Sequence, residues 1–262
     1  MALQFSGPAT RFDDKAVEAA AKKLGCAVAA VRAVIDVESR GGFLPDGRPK
    51  ILYERHYFSR LTKRAFDGKH PDISSKSTGG YKGGAAEYAR LERAIALNRD
   101  AALRSASWGA FQIMGDNCKA AGFKDVESFV AAMVAGEPAQ LDAFVNFVTN
   151  NNLDDELRRL DWVGFARGYN GPGYKVNKYD TKLDAAYRYH SAGGARVLSP
   201  LPVLKMGDRG DEVKRLQKAL GINDDGDFGP ATKAAVVALQ KKHKLYADGV
   251  VGKNTWARLG VG

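Results

Sequence analysis

The chain has 262 residues, of which 45% are hydrophobic and 27% are charged, and this balance excludes a wholly disordered protein. Its 40 basic and 30 acidic residues give a formal charge of +10, which favours polyanionic partners such as nucleic acid, anionic membranes or an acidic cell wall. The sequence has no apolar run near the roughly 18 residues that a membrane-spanning helix needs. Its first residues lack the basic and apolar regions of a secretory signal.

The first 190 residues have a predominantly helical pattern. Asp13 or Asp14 can cap a helix that runs to Leu24, and Gly25 is suited to end it. A turn-rich segment is predicted over 41–57, with a short strand near 50–53. Further helices are predicted over 27–38, 87–98, 126–135, 140–150, 154–160, 162–167 and 181–190. The expected fold class is therefore mainly α.

Small residues and prolines interrupt the helical pattern over 191–202, which we interpret as a linker. It separates a predicted domain of 1–190 from a smaller one of 203–262. Positive charge is spread over both domains, and no block of five like charges is present. The charge alone does not therefore indicate a nucleic-acid groove.

The smaller domain contains an internal repeat with an offset of 23 residues. The recurring positions are Val213, Leu216, Gln217, Asp225, Gly226, Gly229 and Thr232, which return as Val236, Leu239, Gln240, Asp248, Gly249, Gly252 and Thr255. Each unit is predicted as an amphipathic helix followed by a turn that Asp and Thr side chains hold. The L-x-x-G-x-x-G-x-x-V-x-x-L-Q opening and the D-G-x-x-G-x-x-T turn resemble the peptidoglycan-binding domain type 1. The resemblance implies a three-helix module that holds cell-wall peptidoglycan.

Glu38 is the strongest candidate for chemistry in the larger domain. It ends the second predicted helix on the face that carries Val31, Val34 and Ile35, which should point inward. Partial burial and the negative end of the helix dipole both favour its protonated form. A carboxyl that stays protonated near neutral pH can act as a general acid. A capping or ion-paired glutamate near Arg40 is the alternative that the residues leave open.

Three segments in order resemble motifs of the lysozyme-like superfamily, which includes goose-type lysozymes and lytic transglycosylases. They are Glu38-Ser39, the segment from Ser107 to Met114, and Tyr169-Asn170-Gly171. Together with the stretch from Phe43 to His56, they resemble the N-acetylmuramidase domain of bacteriophage endolysins over about residues 10–190. This resemblance implies hydrolysis of the β-1,4 bond between N-acetylmuramic acid and N-acetylglucosamine, with Glu38 protonating the leaving oxygen.

The resemblance also implies which side chains line the substrate cleft. Ser107, Gln112, Tyr169 and Asn170 are the expected substrate-binding residues, because amides suit N-acetyl groups and sugar hydroxyls and a tyrosine ring suits a sugar face. A structural role in a core or turn is the alternative for Gln112 and Asn170, and a helix-capping role is the alternative for Ser107.

A second carboxylate could orient water or stabilise charge in this reaction. Glu54 is our first candidate, because it follows an apolar stretch that could place it on a cleft wall. Asp46 is a weaker candidate because it lies in a turn signature. A mechanism with one glutamate, as in some members of the superfamily, also stays open.

We expect no metal and no other cofactor, since the four histidines and two cysteines lack metal-ligand spacing and no phosphate-binding glycine loop is present. The expected partner is bacterial peptidoglycan, with neither nucleic acid nor stable membrane insertion, and the expected state is a monomer. The missing signal suits a phage enzyme made in the host cytoplasm, released to the wall and causing host-cell lysis.

Four rival functions remain at this stage. A lytic transglycosylase cuts the same bond but closes a 1,6-anhydro ring without water. A non-catalytic wall-binding or spike protein would have a degraded site, and the intact set of Glu38, Gln112 and Tyr169-Asn170 argues against it. An amidase or peptidase would need Cys26 or Cys118 as a nucleophile beside a histidine. A nucleic-acid binder follows from the charge alone.

Overall fold

A computed structural model describes residues 5–39, 41–193 and 202–259. Helices dominate this part of the chain, which confirms the mainly α fold class. The helices are α1 (Asp14–Leu24), α2 (Val28–Glu38), α3 (Arg55–Leu61), α4 (Ala86–Leu97), α5 (Arg99–Arg104), α6 (Val126–Ala135), α7 (Glu137–Asn150), α8 (Asp154–Arg159), α9 (Trp162–Asn170), α10 (Tyr179–Ser191), α11 (Asp211–Leu220), α12 (Pro230–Lys242) and α13 (Lys253–Leu259). The strands are β1 (Ile51–Tyr53), β2 (Ala106–Trp108) and β3 (Ile113–Met114).

Helix α2 runs through the core of the larger domain. Its Val31, Val34 and Ile35 are fully buried, as their shared face predicted. Helix α10 packs along α2, and His190 Nε2 lies 2.7 Å from Asp36 Oδ2 across this contact. The buried helix, held on its outer side by α10, fixes the position of the residues at its carboxyl end.

The three strands form one antiparallel sheet in the order β1-β2-β3. Ser107 of β2 lies opposite Leu52 of β1 on one side and Met114 of β3 on the other. All three residues of β2 are buried, including Trp108, whose indole nitrogen donates to the carbonyl of Leu103. The sequence predicted only the region of β1, because two and three residues are too few to show a strand period.

Several helices differ from their predicted bounds. Helix α3 begins at Arg55, inside the segment predicted to be rich in turns, and α5 was not predicted. Asn98 ends α4 and also caps α5, since its side chain accepts from the Ala101 amide at 3.0 Å, so the two helices follow without a loop. Helix α7 begins at Glu137 and not at the predicted position 140. Pro138 lies in its first turn, where proline is tolerated.

The described residues form two separate hydrophobic cores. The larger includes residues between Phe12 and Leu183. The smaller consists of Leu204, Val213, Leu216, Phe228, Val236, Val251 and Trp256, enclosed by α11, α12 and α13. Residues 194–201, most of the predicted linker, lie outside the described residues, and the domain limits of 1–190 and 203–262 stay a prediction.

Two buried glutamines organise the repeat in the smaller domain. The amide nitrogen of Gln217 donates to Asp225 at 2.7 Å, to the Asp227 carbonyl at 3.0 Å and to Thr232 at 3.0 Å. Its amide oxygen accepts from the Gly226 amide at 2.8 Å. Gln240 makes the same four kinds of bond, to Asp248, Val250, Thr255 and Gly249, at 3.1, 2.9, 3.3 and 2.9 Å. The repeat in sequence is therefore a repeat of hydrogen bonding.

The two cores are joined by a contact at the amino-terminal segment. Arg11 Nε donates to Glu212 Oε1 at 3.0 Å, and both side chains are largely buried. A Cβ on Gly210 would lie 1.9 Å from the carbonyl oxygen of Pro45, so only glycine allows this approach. Within the described ranges, no helix is long and apolar enough to span a membrane.

Candidate active site

An open cleft of about 810 Å³ lies between the carboxyl end of α2, the sheet, α9 and α10. It is lined by Val37, Glu38, Gly41, Leu44, Lys50, Ile51, Leu52, Gly84, Gly109, Ala110, Phe111, Gln112, Ile113, Met114, Asn117, Phe147, Tyr169, Asn170, Asn177, Tyr179 and Lys182. The lining brings together parts of all three sequence motifs, which are far apart in the chain. Among these lining residues, Glu38 is the single acidic side chain.

Glu38 is the last residue of α2 and is half-buried. Asn170, the last residue of α9, donates a hydrogen bond from Nδ2 to Glu38 Oε1 at 2.8 Å. Burial raises the pKa of Glu38 above its ordinary value, and the Asn170 bond and the Lys182 charge partly oppose this rise. The cleft therefore holds one carboxyl whose environment favours the protonated form.

The turn between β2 and β3 carries Gln112 into the cleft with its side chain exposed. Gln112 adopts the left-handed backbone conformation, with φ of 49°, which is uncommon for a residue with a side chain. Its amide nitrogen donates to the carbonyl oxygens of Gly109 at 2.8 Å and Lys50 at 3.3 Å, and its amide oxygen accepts from Ser107 Oγ at 2.9 Å. Ser107 itself is buried and outside the lining, so it orients Gln112 and does not face the cleft.

Gln140 of α7 supports this turn from the interior. Its side chain is buried, accepts from the Ala110 amide at 2.7 Å and donates to the Met133 carbonyl at 2.7 Å. A Cβ on Gly109, which has φ of 71°, would lie 2.7 Å from Gln140. The glycine of the S-x-G motif is therefore needed both for its backbone conformation and for this close approach.

Tyr169 lines the cleft as part of an aromatic group. Its ring stacks on Phe165 at an interplanar angle of 7° and a centroid distance of 5.5 Å, and it meets Phe144 and Phe147 edge-on. Its hydroxyl donates to the Phe111 carbonyl at 3.0 Å. Burial, reinforced by the negative charge of Glu38, raises the pKa of Tyr169 well above its ordinary value. The hydroxyl is thus a fixed, protonated structural donor.

Glu54 does not lie on the cleft wall, contrary to the expectation from its position after β1. The chain turns into α3 directly after Tyr53, and Glu54 becomes the residue that precedes this helix. Its carboxylate accepts from the Tyr81 hydroxyl at 2.9 and 3.0 Å, and His56 Nδ1 lies 3.1 Å from its Oε2. Glu54 is absent from the cleft lining, and so is Asp46, which pairs with Arg48.

Several lining residues lie outside the sequence motifs. Tyr179 and Lys182 come from α10, three residues apart and thus on neighbouring positions of one face. The ammonium group of Lys182 lies 5.7 Å from the Tyr179 ring centroid and acts on the Glu38 charge. The sequence of α10 has the pattern of an ordinary amphipathic helix, so it does not mark either residue as part of a site. The signal that could have found them is the position of α10 as the next α-helix after the Tyr169-Asn170-Gly171 motif.

The described residues hold no group of three or more histidine, cysteine, aspartate or glutamate side chains able to bind a metal ion. Cys26 and Cys118 form no disulfide bond with each other. Burial raises the pKa of Cys26 to about 11 and that of Cys118 above its ordinary value. Neither thiol is part of the cleft lining.

Two family models match this chain. The N-acetylmuramidase family model matches residues 27–191, and a peptidoglycan-binding domain model matches residues 209–259. The crystal structure of the Burkholderia AP3 phage endolysin is similar, with a TM-score of 0.67, 46% identity and coverage of 71% of this chain and 73% of that chain.

A second relative is an uncharacterized protein encoded in the bpoA1 3′ region of Kitasatospora aureofaciens. It is 46% identical over 65 residues, which are 22% of this chain and 55% of that protein, so the match spans about half of that relative's length. The N-acetylmuramidase family match covers more than half of this chain and includes Glu38, Gln112 and Asn170. The chain therefore belongs to the N-acetylmuramidase family.

Proposed function

We propose that this protein is a phage endolysin that hydrolyses the β-1,4 bond between N-acetylmuramic acid and N-acetylglucosamine in bacterial peptidoglycan. The observation that carries the proposal is the carboxyl of Glu38, half-buried in the cleft and hydrogen-bonded by Asn170. Because burial raises its pKa, this carboxyl keeps its proton at a higher pH than an exposed glutamate would. That is the property a general acid needs.

The reaction begins when Glu38 donates its proton to the glycosidic oxygen. The bond between that oxygen and C1 breaks, and positive charge spreads over C1 and the ring oxygen. Water then adds to C1 and gives a proton back to the Glu38 carboxylate, so the acid is restored. Asn170 fixes the direction in which the Glu38 carboxyl points throughout, by its bond to Oε1.

The other lining residues shape the cleft around this centre. Gln112 presents its exposed amide on a turn that Ser107 and Gln140 hold rigid, and its oxygen can accept a further bond from a sugar hydroxyl or N-acetyl group. Tyr169 contributes an aromatic edge but no free proton, since its hydroxyl is bound to Phe111. We propose Gln112, Tyr169 and Asn170 as substrate-binding residues and Ser107 as the residue that positions Gln112.

A lytic transglycosylase is the second candidate, because the cleft lining carries one carboxylate and Glu54 lies elsewhere. In that reaction Glu38 also protonates the leaving oxygen. The C6 hydroxyl of the same sugar then attacks C1 and passes its proton to Glu38, which closes a 1,6-anhydro ring. One carboxyl suffices for both proton transfers, whereas hydrolysis has to position a water without a second carboxylate.

An amidase or peptidase is disfavoured by the cysteine environments. A thiol with a pKa of about 11, as at Cys26, is almost entirely protonated at neutral pH and is a poor nucleophile. Cys118 is buried, and burial raises its pKa as well.

We propose that the regions 1–190 and 203–262 divide the work, the first cutting the glycan and the second anchoring the enzyme to the same wall. Anchoring raises the local concentration of substrate at the cleft. The protein is proposed to act as a monomer on the wall after synthesis in the host cytoplasm and release.

Mass analysis of purified peptidoglycan after digestion tests this function. Reducing N-acetylmuramic acid ends are expected for the hydrolase, and anhydro ends would instead establish the transglycosylase. Glu38→Gln should give neither product, while Glu18→Gln, which removes an exposed carboxylate from α1, should digest like the wild type. Full digestion by Glu38→Gln, or cleavage within the stem peptide, would refute the proposal.

A further inference from the structure

One face of α7 lies behind the cleft. It carries Glu137, Gln140, Phe144 and Phe147, whose spacing along the chain aligns them on the same side of the helix. Phe147 lines the cleft itself, and Phe144 stacks on Phe111 with ring centroids 4.5 Å apart. The two polar members of this face, Glu137 and Gln140, are each 1% exposed. They can therefore act on the cleft only through the residues that they contact.

Glu137 holds the chain segment that follows Glu38. Its Oε1 accepts a hydrogen bond at 2.7 Å from the amide of Gly42, which lies four residues after Glu38. Gly41, the neighbour of Gly42, lines the cleft. The backbone amide of Glu137 donates to the carbonyl of Thr10 at 2.7 Å, which anchors the first residue of α7. A buried side chain outside the cleft thus fixes the segment between Glu38 and the sheet.

Gln140 lies between this segment and the turn that carries Gln112. Its Oε1 accepts from the amide of Ala110 in that turn at 2.7 Å. A Cβ on Gly42 would lie 2.2 Å from the same oxygen, and a Cβ on Gly109 would lie 2.7 Å from the same side chain. Both segments are therefore packed against one amide group. A change in the size of residue 140 would change their separation, because a packed interior transmits such a change.

A path of backbone hydrogen bonds joins the same two segments on the side of the sheet. The amide of Lys50 donates to the carbonyl of Gly42 at 2.8 Å, and the carbonyl of Lys50 accepts from the amide of Gly109 at 2.8 Å. The Lys50 carbonyl also accepts from the Gln112 side chain at 3.3 Å. A displacement of Gly42 would therefore pass through Lys50 to Gln112.

We propose that Glu137 and Gln140 are positioning residues that set the spacing between Glu38 and the turn that presents Gln112. Glu137 fixes the segment after the acid, and Gln140 fills the space between that segment and the turn. Neither residue touches substrate or transfers a proton. The spacing matters because a misplacement of about 1 Å in an active site can cost about a hundredfold in rate. This inference rests on the proposed function, in which Glu38 is the acid and Gln112 binds the glycan.

Steady-state digestion of purified peptidoglycan by the full chain separates positioning from binding. Glu137→Met keeps the length of the side chain but removes the acceptor for Gly42. It should lower kcat about ten- to a hundredfold and change KM less than about threefold. Glu137→Gln keeps an acceptor oxygen and should restore kcat to within about threefold of the wild type. Gln140→Met, which removes the acceptor for Ala110, should resemble Glu137→Met.

The matched control is Asn146→Leu on the same helix. The Asn146 side chain donates to the Ala121 carbonyl at 3.3 Å, and a Cβ on Gly122 would lie 2.6 Å from its amide nitrogen. It thus makes the same kinds of contact as Gln140, but it is not part of the cleft lining. Asn146→Leu should digest peptidoglycan like the wild type.

The pH profile distinguishes positioning from a general loss of structure. Lys182 and Tyr169 are titratable groups that act on or respond to the charge of Glu38, and these variants change neither of them. Release of the segment after Glu38 should admit water to its carboxyl. The alkaline limb of kcat/KM should then move to lower pH in Glu137→Met. It should stay in place in Glu137→Gln, which removes the same acidic group but keeps the acceptor.

Equal losses of kcat in Glu137→Met and Glu137→Gln, an unchanged kcat in Gln140→Met, or a loss confined to KM would overturn the proposal. Circular dichroism and thermal unfolding establish that each variant is folded at the assay temperature. If a methionine variant does not fold, Gln140→Asn replaces it in the test. This change keeps the amide but shortens the side chain, so kcat should fall about tenfold, and an unchanged kcat would refute the proposal. The proposed function fails on different evidence, namely full digestion by Glu38→Gln.

Discussion

Polar side chains serve different ends in the two parts of this molecule. In the smaller domain, the amide groups of Gln217 and Gln240 form hydrogen bonds within their own repeat units. The same four hydrogen bonds occur in both units. In the larger domain, the carboxyl of Glu38 is held by a neighbour but lines an open cleft. Repeated, mutually satisfied polar groups mark architecture, whereas a half-buried acid in a cleft marks chemistry.

The largest expected effect is on catalysis. Glu38→Gln keeps the size of the side chain but removes the acidic proton, and loss of a general acid typically costs about 10² to 10⁴ in rate. We expect wall digestion to fall by about a thousandfold, measured as release of soluble fragments. Glu18→Gln serves as the matched loss of a carboxylate. A decrease of less than tenfold would mean that the acid lies elsewhere.

In the smaller domain the expected effects are on stability. Gln217→Leu and Gln240→Leu each remove four hydrogen bonds and leave a buried glycine amide without an acceptor, which should lower the free energy of unfolding by about 2 to 4 kcal/mol. Because the bonding is the same in both units, the two losses should be similar. Denaturant unfolding with hydrogen exchange at Gly226 and Gly249 measures this. A large loss of unfolding free energy for one variant with none for the other would show that the two repeat units are not equivalent.

The raised pKa of Glu38 should also lower the stability of the folded protein at neutral pH. Since its pKa is raised in the folded state, the unfolded chain releases this proton first as pH rises, and stability falls through the interval between the two pKa values. Glu38→Gln has no such proton. Its stability advantage over the wild type should therefore be greater at pH 7 than at pH 4, as measured by thermal unfolding at both values. A constant difference would show that the folded environment leaves the pKa of Glu38 unchanged.

The smallest effect is expected from Lys182→Gln. The positive charge of Lys182 holds down the pKa of Glu38, so its removal should raise that pKa and move the alkaline limb of the kcat/KM profile to higher pH. Added salt should reduce the difference between variant and wild type, because Lys182 is exposed. Lys15→Gln on α1 provides the control. A limb that moves to lower pH would contradict the assigned electrostatics.

Much of the fold follows from local signals in the sequence. Helix α1 could be predicted because Asp13 caps it, with a bond to the Ala16 amide at 2.9 Å, and because Gly25 follows its last residue. The burial of Val31, Val34 and Ile35 could be predicted because their spacing places them on one face of α2. Helix α5 escaped prediction because Asn98 acts as the end of one helix and the cap of the next.

The candidate site shows where sequence patterns stop being informative. The spacing after β1 suggested that Glu54 would face the cleft, but the immediate start of α3 and the bonds from Tyr81 turn it elsewhere. The motif around Gln112 was visible, yet its left-handed backbone and the support from Gln140 depend on contacts between distant segments. Lys182 enters the cleft only because α10 packs along α2, which no local pattern encodes.

The contact between the two cores has a consequence for how the enzyme travels on its substrate. Gly210 closely approaches Pro45, which follows the cleft-lining residue Leu44 in the chain, and Arg11 donates a hydrogen bond to Glu212. While this contact holds, packed side chains set the distance between the smaller domain, which is proposed to bind the wall, and the cleft that is proposed to cut the glycan. Lengthening the connecting segment would then leave that distance unchanged, and only opening the contact would let the enzyme reach a more distant strand.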